Sequence, residues 1–576
     1  MTHAVIIGGS VGGLLAARAL SATFEQVTVL ERDHLPDRAV ARRGVPQSRQ
    51  AHALLARGGM LLDELFPGFG AEMLAAGVPA GDLHADCHWY LDGHPMRRAP
   101  SSMRVHGVTR PLLEHLVRQR VRALPNVTVT GTAEVTGLLH DGRVRGVRTG
   151  NGPIEADLVV DAGGRATRLP VWLRELGYGE VPVTAVRTDV VYTTRHYRYE
   201  PDRIGFAVIN APYPGMPRTG VTIRQEGDRV VVFLGGILGE EPPADDAGVR
   251  AFAESLPGPE ISDFLRTAEP LDDPVRMRFP ASVRRHYERM PRLPEGLVAV
   301  GDAVCSFNPI YGQGITVAAL QALALTRAAG GGRWFAAAAR LVNVPWSMAT
   351  ATDLRFPQVT GPRRAVDRPL NAYLRRYRAA AAHDPELGAA FLRVSNMLAG
   401  PGHLLAPGRL LRVLLSPVSA GPHSRGACEA GGALHDVTPP SQPPPSSPRS
   451  RPTVRAVQIA QHVADLPRAT AFYTDLLGAP PVASFDPPGL VFFDLDGLRL
   501  LLDRGAPSAL HYLLVDDVAA TVERLRAAGT AVESEPHVIF THADDRLGPA
   551  GTEEVHAFIR DSEGNLVGLI EHRPVR

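Results

Sequence analysis

The residues near the start of the chain that are best suited to chemistry are small and closely spaced. Gly8-Gly9-Ser10-Val11-Gly12-Gly13 follows the apolar residues 4–7 and precedes an apolar, alanine-rich run. The spacing is that of G-x-G-x-x-G with Ser10 in the middle place. Gly8 permits a tight turn, Ser10 is small enough for a pyrophosphate to approach the backbone, and Gly13 lets a helix pack closely on a strand. The N-terminus of that helix is a predicted phosphate site.

An acidic residue follows the next predicted strand. The β-branched run 27–30 ends at Glu31, which lies 23 residues after Gly8. An acid at about this distance holds a ribose hydroxyl in dinucleotide sites. Arg32 follows it directly, and Arg43 lies in the next loop. The order strand, glycine turn, helix, strand and acid predicts a dinucleotide-binding domain.

Two more predicted strands end in aspartate. Asp161 ends the run 158–161 before a glycine turn, and Asp302 follows the buried-type run 296–301. An aspartate in such a place can accept hydrogen bonds from the hydroxyls of a sugar alcohol. The loop Asn308-Pro309-Ile310-Tyr311-Gly312-Gln313-Gly314 then opens a long predicted helix. Its N–H groups and the helix dipole can stabilise negative charge on a reduced flavin ring.

The chain contains no lysine, so all 61 of its lysine-or-arginine positions are arginine. This excludes a pyridoxal phosphate Schiff base, a P-loop and a kinase-type phosphate clamp, and it leaves arginine and helix termini to stabilise anions. The 60 acidic residues give a net charge of +1, which provides no general attraction to nucleic acid. Three distant cysteines, Cys87, Cys305 and Cys428, suggest neither a disulfide framework nor a cysteine-ligated metal.

The remaining patterns give an α/β domain organisation. β-Branched and aromatic residues with a period of two predict a mostly antiparallel substrate sheet over about 186–275. A helical tail is expected over 331–420, and the nucleotide-binding segments are about 1–80, 105–185 and 275–330. Residues 421–453 include TPPSQPPPSSPRSRP and form a predicted Pro/Ser-rich linker. A smaller domain, 454–576, follows.

The three strand-end segments, in this order, resemble the FAD-dependent monooxygenases of the aromatic-hydroxylase type over about 1–415. The segments 42–52, 161–173 and 345–357 are further similar to bacterial olefin epoxidases of polyether pathways. The resemblance implies a Rossmann-like FAD-binding domain, non-covalent FAD, NAD(P)H as co-substrate and O₂. It further implies that a flavin C4a-hydroperoxide transfers one oxygen atom to a polyketide-like small molecule, with epoxidation favoured over hydroxylation. Tryptophan halogenases share this fold but need a lysine, which this chain lacks.

The resemblance also implies site residues. The resemblance does not assign catalytic residues, and His52 and Pro309 are the candidates near the flavin. His52 could equally be a histidine packed in the core. Arg110 opens a predicted helix and would reach the flavin's phosphate or ribose side, although a solvated helix-start arginine is the alternative. The expected cofactor-binding residues are Gly8, Ser10, Gly12, Gly13, Glu31, Arg32, Arg43, Arg110, Asp161, Asp302, Pro309, Gly312, Gln313 and Gly314.

Residues 454–576 contain two similar halves, each with the predicted order βαβββ. The segments 471–478 (AFYTDLLG) and 561–565 (DSEGN) resemble the vicinal oxygen chelate family of glyoxalases and bleomycin-binding proteins. The positions that hold metal ligands in that family correspond to Gln458, Leu510 and Gly568, and only the first could ligate. We therefore expect an α+β domain without metal that binds substrate or product, or assists a later step.

Several alternatives stay open at this point. The first domain could be a flavin-dependent reductase or oxidase on the same scaffold, and the second could sequester a finished drug as a self-resistance module. No run of about 18 apolar residues occurs, so no membrane span is expected. The first residues enter a predicted strand without a signal-peptide pattern, and we expect a cytoplasmic protein. The sequence does not predict the oligomeric state.

Overall fold

The computed structural model describes residues 1–416 and 458–575, except 53, 202, 327–331, 364–366, 486–489, 496–497, 504–510 and 542–548. The chain divides into two compact units, Met1–Ala430 and Gly431–Arg576. Each unit has its own hydrophobic core. The predicted linker 421–453 lies outside the described residues.

The strands of the first unit run through most of its length. In chain order they are β1 (His3–Ile7), β2 (Gln26–Leu30), β3 (Ala80–Asp82), β4 (Cys87–Leu91), β5 (His94–Pro95), β6 (Arg104–His106), β7 (Val127–Thr130), β8 (Val135–His140), β9 (Val144–Thr149), β10 (Gly152–Glu155), β11 (Leu158–Asp161), β12 (Val183–Arg198), β13 (Ala207–Asn210), β14 (Arg218–Gln225), β15 (Arg229–Gly236), β16 (Val275–Arg285), β17 (Leu297–Ala299) and β18 (Cys305–Ser306).

Helices occur along the whole first unit, and the last five described ones follow one another without an intervening strand among the described residues. The helices are α1 (Val11–Leu20), α2 (Ala56–Leu65), α3 (Phe69–Ala75), α4 (Arg110–Arg122), α5 (Leu169–Glu175), α6 (Asp246–Glu254), α7 (Glu260–Leu265), α8 (Gly314–Leu325), α9 (Gly332–Asp353), α10 (Asp367–Ala381), α11 (Pro385–Ser395) and α12 (Pro407–Leu415). Short 3₁₀ turns lie at Pro46–Arg49, Gly164–Ala166, Tyr287–Arg289, Gly301–Ala303, Pro309–Tyr311 and Pro401–Leu405.

A parallel sheet with the strand order β17-β11-β1-β2-β7 forms the centre of the first unit. Strands β1, β11 and β17 are buried on both faces, and Val5, Val159 and Val298 are fully buried. In the register of the sheet Ile7 pairs with both Leu30 and Asp161. The carboxyl ends of β1, β2 and β11 therefore meet at one edge, which is where ligands bind in parallel α/β sheets. The mixed α/β fold class is confirmed.

The second large sheet of this unit has the order β18-β16-β12-β15-β14-β13-β4-β5 and is antiparallel apart from the pair β4–β13. The sequence assigned this sheet to 186–275 alone. The structure adds β4 and β5 from before that range and β16 and β18 from after it. Strand periodicity predicts that a segment is extended but does not say which distant strand pairs with it, so these edges could not be assigned.

The second unit repeats one motif. The strands and helix β19 (Gln458–His462), α13 (Leu466–Leu477), β20 (Ala483–Phe485), β21 (Leu490–Leu495) and β22 (Leu498–Asp503) form the first half. The elements β23 (His511–Leu514), α14 (Val518–Ala527), β24 (Val532–Thr541), β25 (Thr552–Arg560) and β26 (Leu566–Pro574) form the second half. Each half makes a four-stranded sheet, β19-β22-β21-β20 and β23-β26-β25-β24.

Both helices of the second unit begin in the same way. The Asp465 side chain accepts a hydrogen bond from the Arg468 N–H at the start of α13, and Asp517 accepts one from the Ala520 N–H at the start of α14. Aspartate is a preferred N-cap because it satisfies one of the N–H groups that a helix start leaves unpaired. The helix of each predicted half therefore starts at the same kind of N-cap.

Candidate functional site

A cavity of about 1390 Å³ lies in the first unit, against the carboxyl ends of β1, β2 and β11. Most of the residues that the sequence predicted for a cofactor site or as catalytic candidates line it: Gly8, Ser10, Gly12, Glu31, Arg32, Arg43, His52, Arg110, Asp161, Asp302, Pro309, Gly312, Gln313 and Gly314. Gly13 lies beneath the cavity wall, in the first turn of α1. Segments far apart in the chain therefore converge on one space.

The glycine turn between β1 and α1 forms the floor of the cavity. Gly8 has a φ of +104°, and a Cβ atom there would lie 2.6 Å from the Ala162 carbonyl oxygen. A Cβ atom at Gly13 would lie 1.9 Å from the Gly8 carbonyl oxygen. Both positions therefore need glycine, the first for its backbone conformation as well. The side chain of Ser10 does not cap α1, and the helix presents its N-terminus to the cavity.

Glu31 is fixed in place by several donors. Its side chain is buried, and Oε2 accepts a hydrogen bond of 2.8 Å from the Gly9 N–H and lies 3.2 Å from Arg42 Nη1. Oε1 accepts the Asp33 N–H at 3.1 Å. These bonds hold the carboxylate at the end of β2, at the edge of the cavity.

A buried ionic cluster joins the turn to α4. Glu114 Oε1 lies 2.7 Å from Arg42 Nε and 3.5 Å from Arg118 Nη1. Glu114 Oε2 accepts a hydrogen bond of 2.9 Å from the Ser10 hydroxyl, and Arg110 Nη2 donates to Ser10 Oγ at 2.8 Å. Burial lowers the pKa of Arg42, but the charges of Glu114 and Glu31 outweigh it and raise the pKa overall.

The sequence named Arg43 and Arg110 but missed Arg42 and Glu114. Arg43 is exposed at the rim, as is Arg32, whereas Arg42 is buried. Two adjacent arginines in a loop look alike in sequence, and only the fold decides which is buried. Glu114 did carry a signal, because it stands four residues after Arg110 and four before Arg118 on one helix face.

Two aspartates face the cavity from neighbouring strand ends. Asp161 accepts hydrogen bonds from the Gly163 N–H, at 2.9 Å, and from the Thr167 hydroxyl. Burial raises the pKa of Asp161, and these two bonds oppose that rise. Burial also raises the pKa of Asp302, while the charge of Arg110 opposes it. Asp302 is half-buried, and no hydrogen bond to its carboxylate is present among the described residues.

The loop before α8 forms another wall. Asn308 caps the turn Pro309–Tyr311 by accepting the Ile310 N–H, and Gly312 adopts a φ of +63° before the helix begins at Gly314. The Tyr311 hydroxyl donates to Asp353 Oδ1 at 2.7 Å, and burial raises the pKa of Asp353 to about 7. The loop is thus held by bonds to α9, with the N-terminus of α8 directed at the cavity.

His52 lies in the cavity wall, half-buried. Its Nδ1 is 2.9 Å from the Gln50 carbonyl oxygen, so Nδ1 carries the proton and donates it, while Nε2 has a free lone pair. Burial, with the positive charge of Arg110, lowers the pKa of His52 to about 4. The imidazole is therefore neutral at pH 7 and a weak base.

The cavity continues away from the glycine turn, between the large sheet and the helical tail. Its walls there are largely apolar and include Trp89, Ile209, Phe233, Phe391 and Leu404. The aromatic rings of Tyr192 and Phe233 lie 4.9 Å apart. Of the strand residues Tyr192, His196 and Tyr197, Tyr192 faces this space, whereas His196 pairs with Asp272 and Tyr197 packs in a separate core.

Within the described residues of the second unit, no group of three or more His, Cys, Asp or Glu side chains is arranged to hold a metal ion. The side chain of Gln458 and the whole of Leu510 lie outside the described residues. A Cβ atom at Gly568 would lie 2.3 Å from the Tyr512 ring, so a ligand side chain has no room there unless Tyr512 moves.

The chain is similar to known proteins over both units. Residues 455–569 match the Glyoxalase/Bleomycin resistance protein/Dioxygenase superfamily. The chain is 36% identical over 428 residues to protein Rv3254 of Mycobacterium tuberculosis, an alignment that covers 69% of this chain and 90% of that protein. It is 26% identical over 347 residues to the 6-methylpretetramide 4-monooxygenase of Streptomyces rimosus, covering 56% of this chain and 74% of that enzyme. The chain belongs to the FAD-dependent monooxygenases and carries a fused glyoxalase-like domain.

A flavoprotein/dehydrogenase from Cytophaga hutchinsonii shares the fold of this FAD-dependent monooxygenase, with a TM-score of 0.51 and 16% identity, over 72% of this chain and 98% of that one. The first unit also has buried polar atoms that bound FAD could satisfy. Buried polar atoms without a hydrogen-bond partner include Arg42 Nη2, Arg110 Nε and Gln313 Oε1. Such atoms are costly unless a ligand or water satisfies them, and here they surround the glycine turn and the start of α8.

Among the described residues of the monooxygenase, no helix is both long and apolar enough to cross a membrane.

Proposed function

We propose that the chain is a monooxygenase that uses non-covalent FAD, NAD(P)H and O₂ to insert one oxygen atom into a polyketide-like natural-product intermediate. Bound FAD supplies the activation of oxygen. The observation that carries the proposal is the convergence of Glu31, Asp161, Asp302 and the N-terminus of α8 on one cavity that then becomes apolar. The parallel strand order around β1 supports a Rossmann-like arrangement for the cofactor.

The residues of the chain divide the work of holding FAD. The N-terminus of α1, with Arg110 behind Ser10, would bind the pyrophosphate. Glu31 would accept a ribose hydroxyl, and Asp302 would accept a hydroxyl of the ribityl chain. The start of α8 at Gly314 would stabilise negative charge on the flavin ring, a task that the absence of lysine leaves to the helix and to arginine.

Epoxidation of an alkene is the reaction that the site supports best. Hydroxylation of a phenol is helped by a base whose pKa lies near the working pH. His52 has a pKa lowered to about 4, so its Nε2 is poorly suited to remove a phenolic proton. An alkene that attacks an electrophilic oxygen needs no base, and the apolar walls around Phe233 would exclude water.

The test is oxygen labelling with the full-length chain loaded with FAD. The chain is supplied with NADPH or NADH under ¹⁸O₂, with squalene as an alkene probe and 6-methylpretetramide, the compound in the relative's name, as a second probe. We expect product containing one ¹⁸O atom. Parallel reactions in H₂¹⁸O with unlabelled O₂ should leave the product unlabelled. A reduced product without label would instead establish the reductase alternative, and a dehydrogenated one the oxidase alternative.

For the second unit we propose a metal-free module that binds substrate or product. The crowding at Gly568 by the Tyr512 ring supports the absence of metal. Tyr512 and Leu514 are exposed on the same strand, with 42% and 71% of their surface accessible, and offer apolar contact. The alternative, a self-resistance module, is tested by ending the chain near residue 450. Unchanged product and rate together with lost protection from the compound would establish self-resistance.

A further inference from the structure

A buried ionic cluster lies in the cavity wall formed by the helical tail. Asp92 stands in the turn between β4 and β5, Arg355 follows α9, and Arg378 belongs to α10. Arg355 Nη2 lies 2.7 Å from Asp92 Oδ2, and Arg378 Nη1 lies 3.4 Å from the same oxygen. All three side chains are only 7–8% exposed, and all three line the cavity.

The charges in this cluster do not balance. Two guanidinium groups share one carboxylate oxygen, which leaves a net charge of +1 in an almost buried place. A guanidinium has five N–H donors, and among the described residues Asp92 accepts the only hydrogen bond that each group makes. Arg378 also stacks on Phe391, with Cζ 5.7 Å from the ring centre. A buried charge without a full set of partners is costly unless water or a ligand completes it, and both guanidinium side chains open on the cavity, where a ligand can do so.

The neighbouring groups do not supply the missing negative charge. The Tyr311 hydroxyl lies close enough to both guanidinium groups for their charges to act on its pKa, but burial raises that pKa well above its usual value, so Tyr311 is neutral. Asp353 accepts a hydrogen bond from that hydroxyl, and neither arginine is among the groups that shift the pKa of Asp353. Burial lowers the pKa of Arg378 to about 10, which keeps it charged at pH 7.

The position of the cluster connects it to the cofactor site. Tyr311 belongs to the turn Pro309–Tyr311, three residues before α8 begins. An anion bound at the guanidinium pair would therefore lie beside the loop proposed to face the flavin ring, with the rest of its molecule against apolar walls.

We propose that Arg355 and Arg378 bind a planar two-oxygen anion of the substrate, either a carboxylate or the enolate of a 1,3-dicarbonyl. The guanidinium group is a rigid, planar set of donors that matches two such oxygens. The substrate class is then an apolar molecule with one delocalised anion at its end. This proposal rests on the proposed function for one point, namely that the bound anion is the substrate.

The test measures binding without turnover. Calorimetry on the FAD-loaded full-length chain, without NAD(P)H, compares naphthalene-2-carboxylate with its neutral counterpart naphthalene-2-carboxamide. The enolate of 2-acetylindane-1,3-dione provides the second source of the anion. We expect the carboxylate or the enolate, or both, to bind at least tenfold more tightly than the carboxamide. The better-bound anion identifies the source.

Variants assign that preference to the cluster. Arg378→Gln and Arg355→Gln should each reduce it at least fivefold. Asp92→Asn should increase it, because both guanidinium groups lose their internal partner; asparagine tolerates the φ of +53° at this position. The matched control is Arg412→Gln, which breaks a pair with Asp384 of 2.8 Å on the outside of the same helical region and should leave the preference unchanged.

The outcomes decide the proposal without reference to catalysis. Equal binding of anion and carboxamide by the wild type, or no binding of either anion, would overturn it. So would a preference that survives in folded Arg378→Gln. If both arginine variants fail to fold, Asp92→Asn decides, since a weakened preference there contradicts the proposal. Oxygen labelling can fail while this binding test succeeds, and the reverse is also possible.

Discussion

Neutralising Glu114 is predicted to destabilise the first unit far more than neutralising an ordinary surface acid. Glu114 is 4% exposed, and its two oxygens contact Arg42, Arg118, Ser10 and Arg110. In Glu114→Gln the side chain keeps its shape but loses its charge. One of the two oxygens becomes an NH₂ group, which would then face guanidinium donors.

The magnitude follows from burial and geometry. Three guanidinium groups in the cluster are balanced by Glu31, Asp33 and Glu114, so removing one acid leaves a buried positive charge without a counter-ion. Breaking a buried ion pair by removing one partner costs about 3–5 kcal/mol. We expect the free energy of unfolding of the first unit to fall by about that amount.

The assay is urea unfolding of the FAD-free chain, followed by tryptophan fluorescence. All four tryptophans lie in the first unit, so the signal reports that unit alone. The matched control is Glu72→Gln. Glu72 belongs to α3, and its Oε2 lies 2.6 Å from Nε of Arg120, which is on α4 as Glu114 is. This pair is 30–38% exposed and should contribute less than about 1 kcal/mol. Equal losses in the two variants would mean that burial does not make the Glu114 cluster more stabilising than an exposed ion pair.

Gly13→Ala should not bind FAD in a fluorescence titration, because its Cβ atom would lie 1.9 Å from the Gly8 carbonyl oxygen. The control Gly59→Ala, whose Cβ atom would have its nearest neighbour at 3.6 Å, should still bind FAD. FAD binding by Gly13→Ala would contradict the role of the glycine turn. Burial raises the pKa of Asp353 from 3.8 to about 7, so the folded state holds an extra proton between these values and its stability falls as the pH rises through them. Asp353→Asn keeps the Oδ1 acceptor. In urea titrations it should raise the free energy of unfolding at pH 8 by up to about 4 kcal/mol, and by much less near pH 4. A lower free energy of unfolding at pH 8 would contradict this prediction. The full-length chain grown with zinc, nickel and iron should carry no stoichiometric metal by elemental analysis, since Gly568 supplies no ligand side chain and the Tyr512 ring occupies the space beside it. Stoichiometric metal on which activity depends would contradict this expectation.

Much of the candidate site could be predicted from sequence because its causes are local. A buried apolar run that ends in Gly8, Asp161 or Asp302 marks the carboxyl end of a strand. Parallel strands bring such ends to one edge, so the convergence followed once the strands were recognised. The turn at Gly312 and the helix start at Gly314 are also properties of neighbouring residues.

The rest of the site depends on contacts between distant segments. Arg42 and Glu114 are 72 residues apart, and Asp92 and Arg378 are 286 apart. Arginine and acidic residues are common along this chain, and no local pattern states which pair will be buried together. The parallel pairing of β4 with β13 has the same origin, because strand periodicity carries no information about the partner.

We propose that the cavity beside the glycine turn is an FAD site. The most direct measurement is a titration of the full-length chain, stripped of ligand, with FAD, followed by the visible absorption and fluorescence of the flavin. We expect one FAD per chain, released intact by heat or acid and absent from Gly13→Ala. A chain that takes up no FAD, or that binds it equally well with and without Gly13, would show that this cavity is not an FAD site.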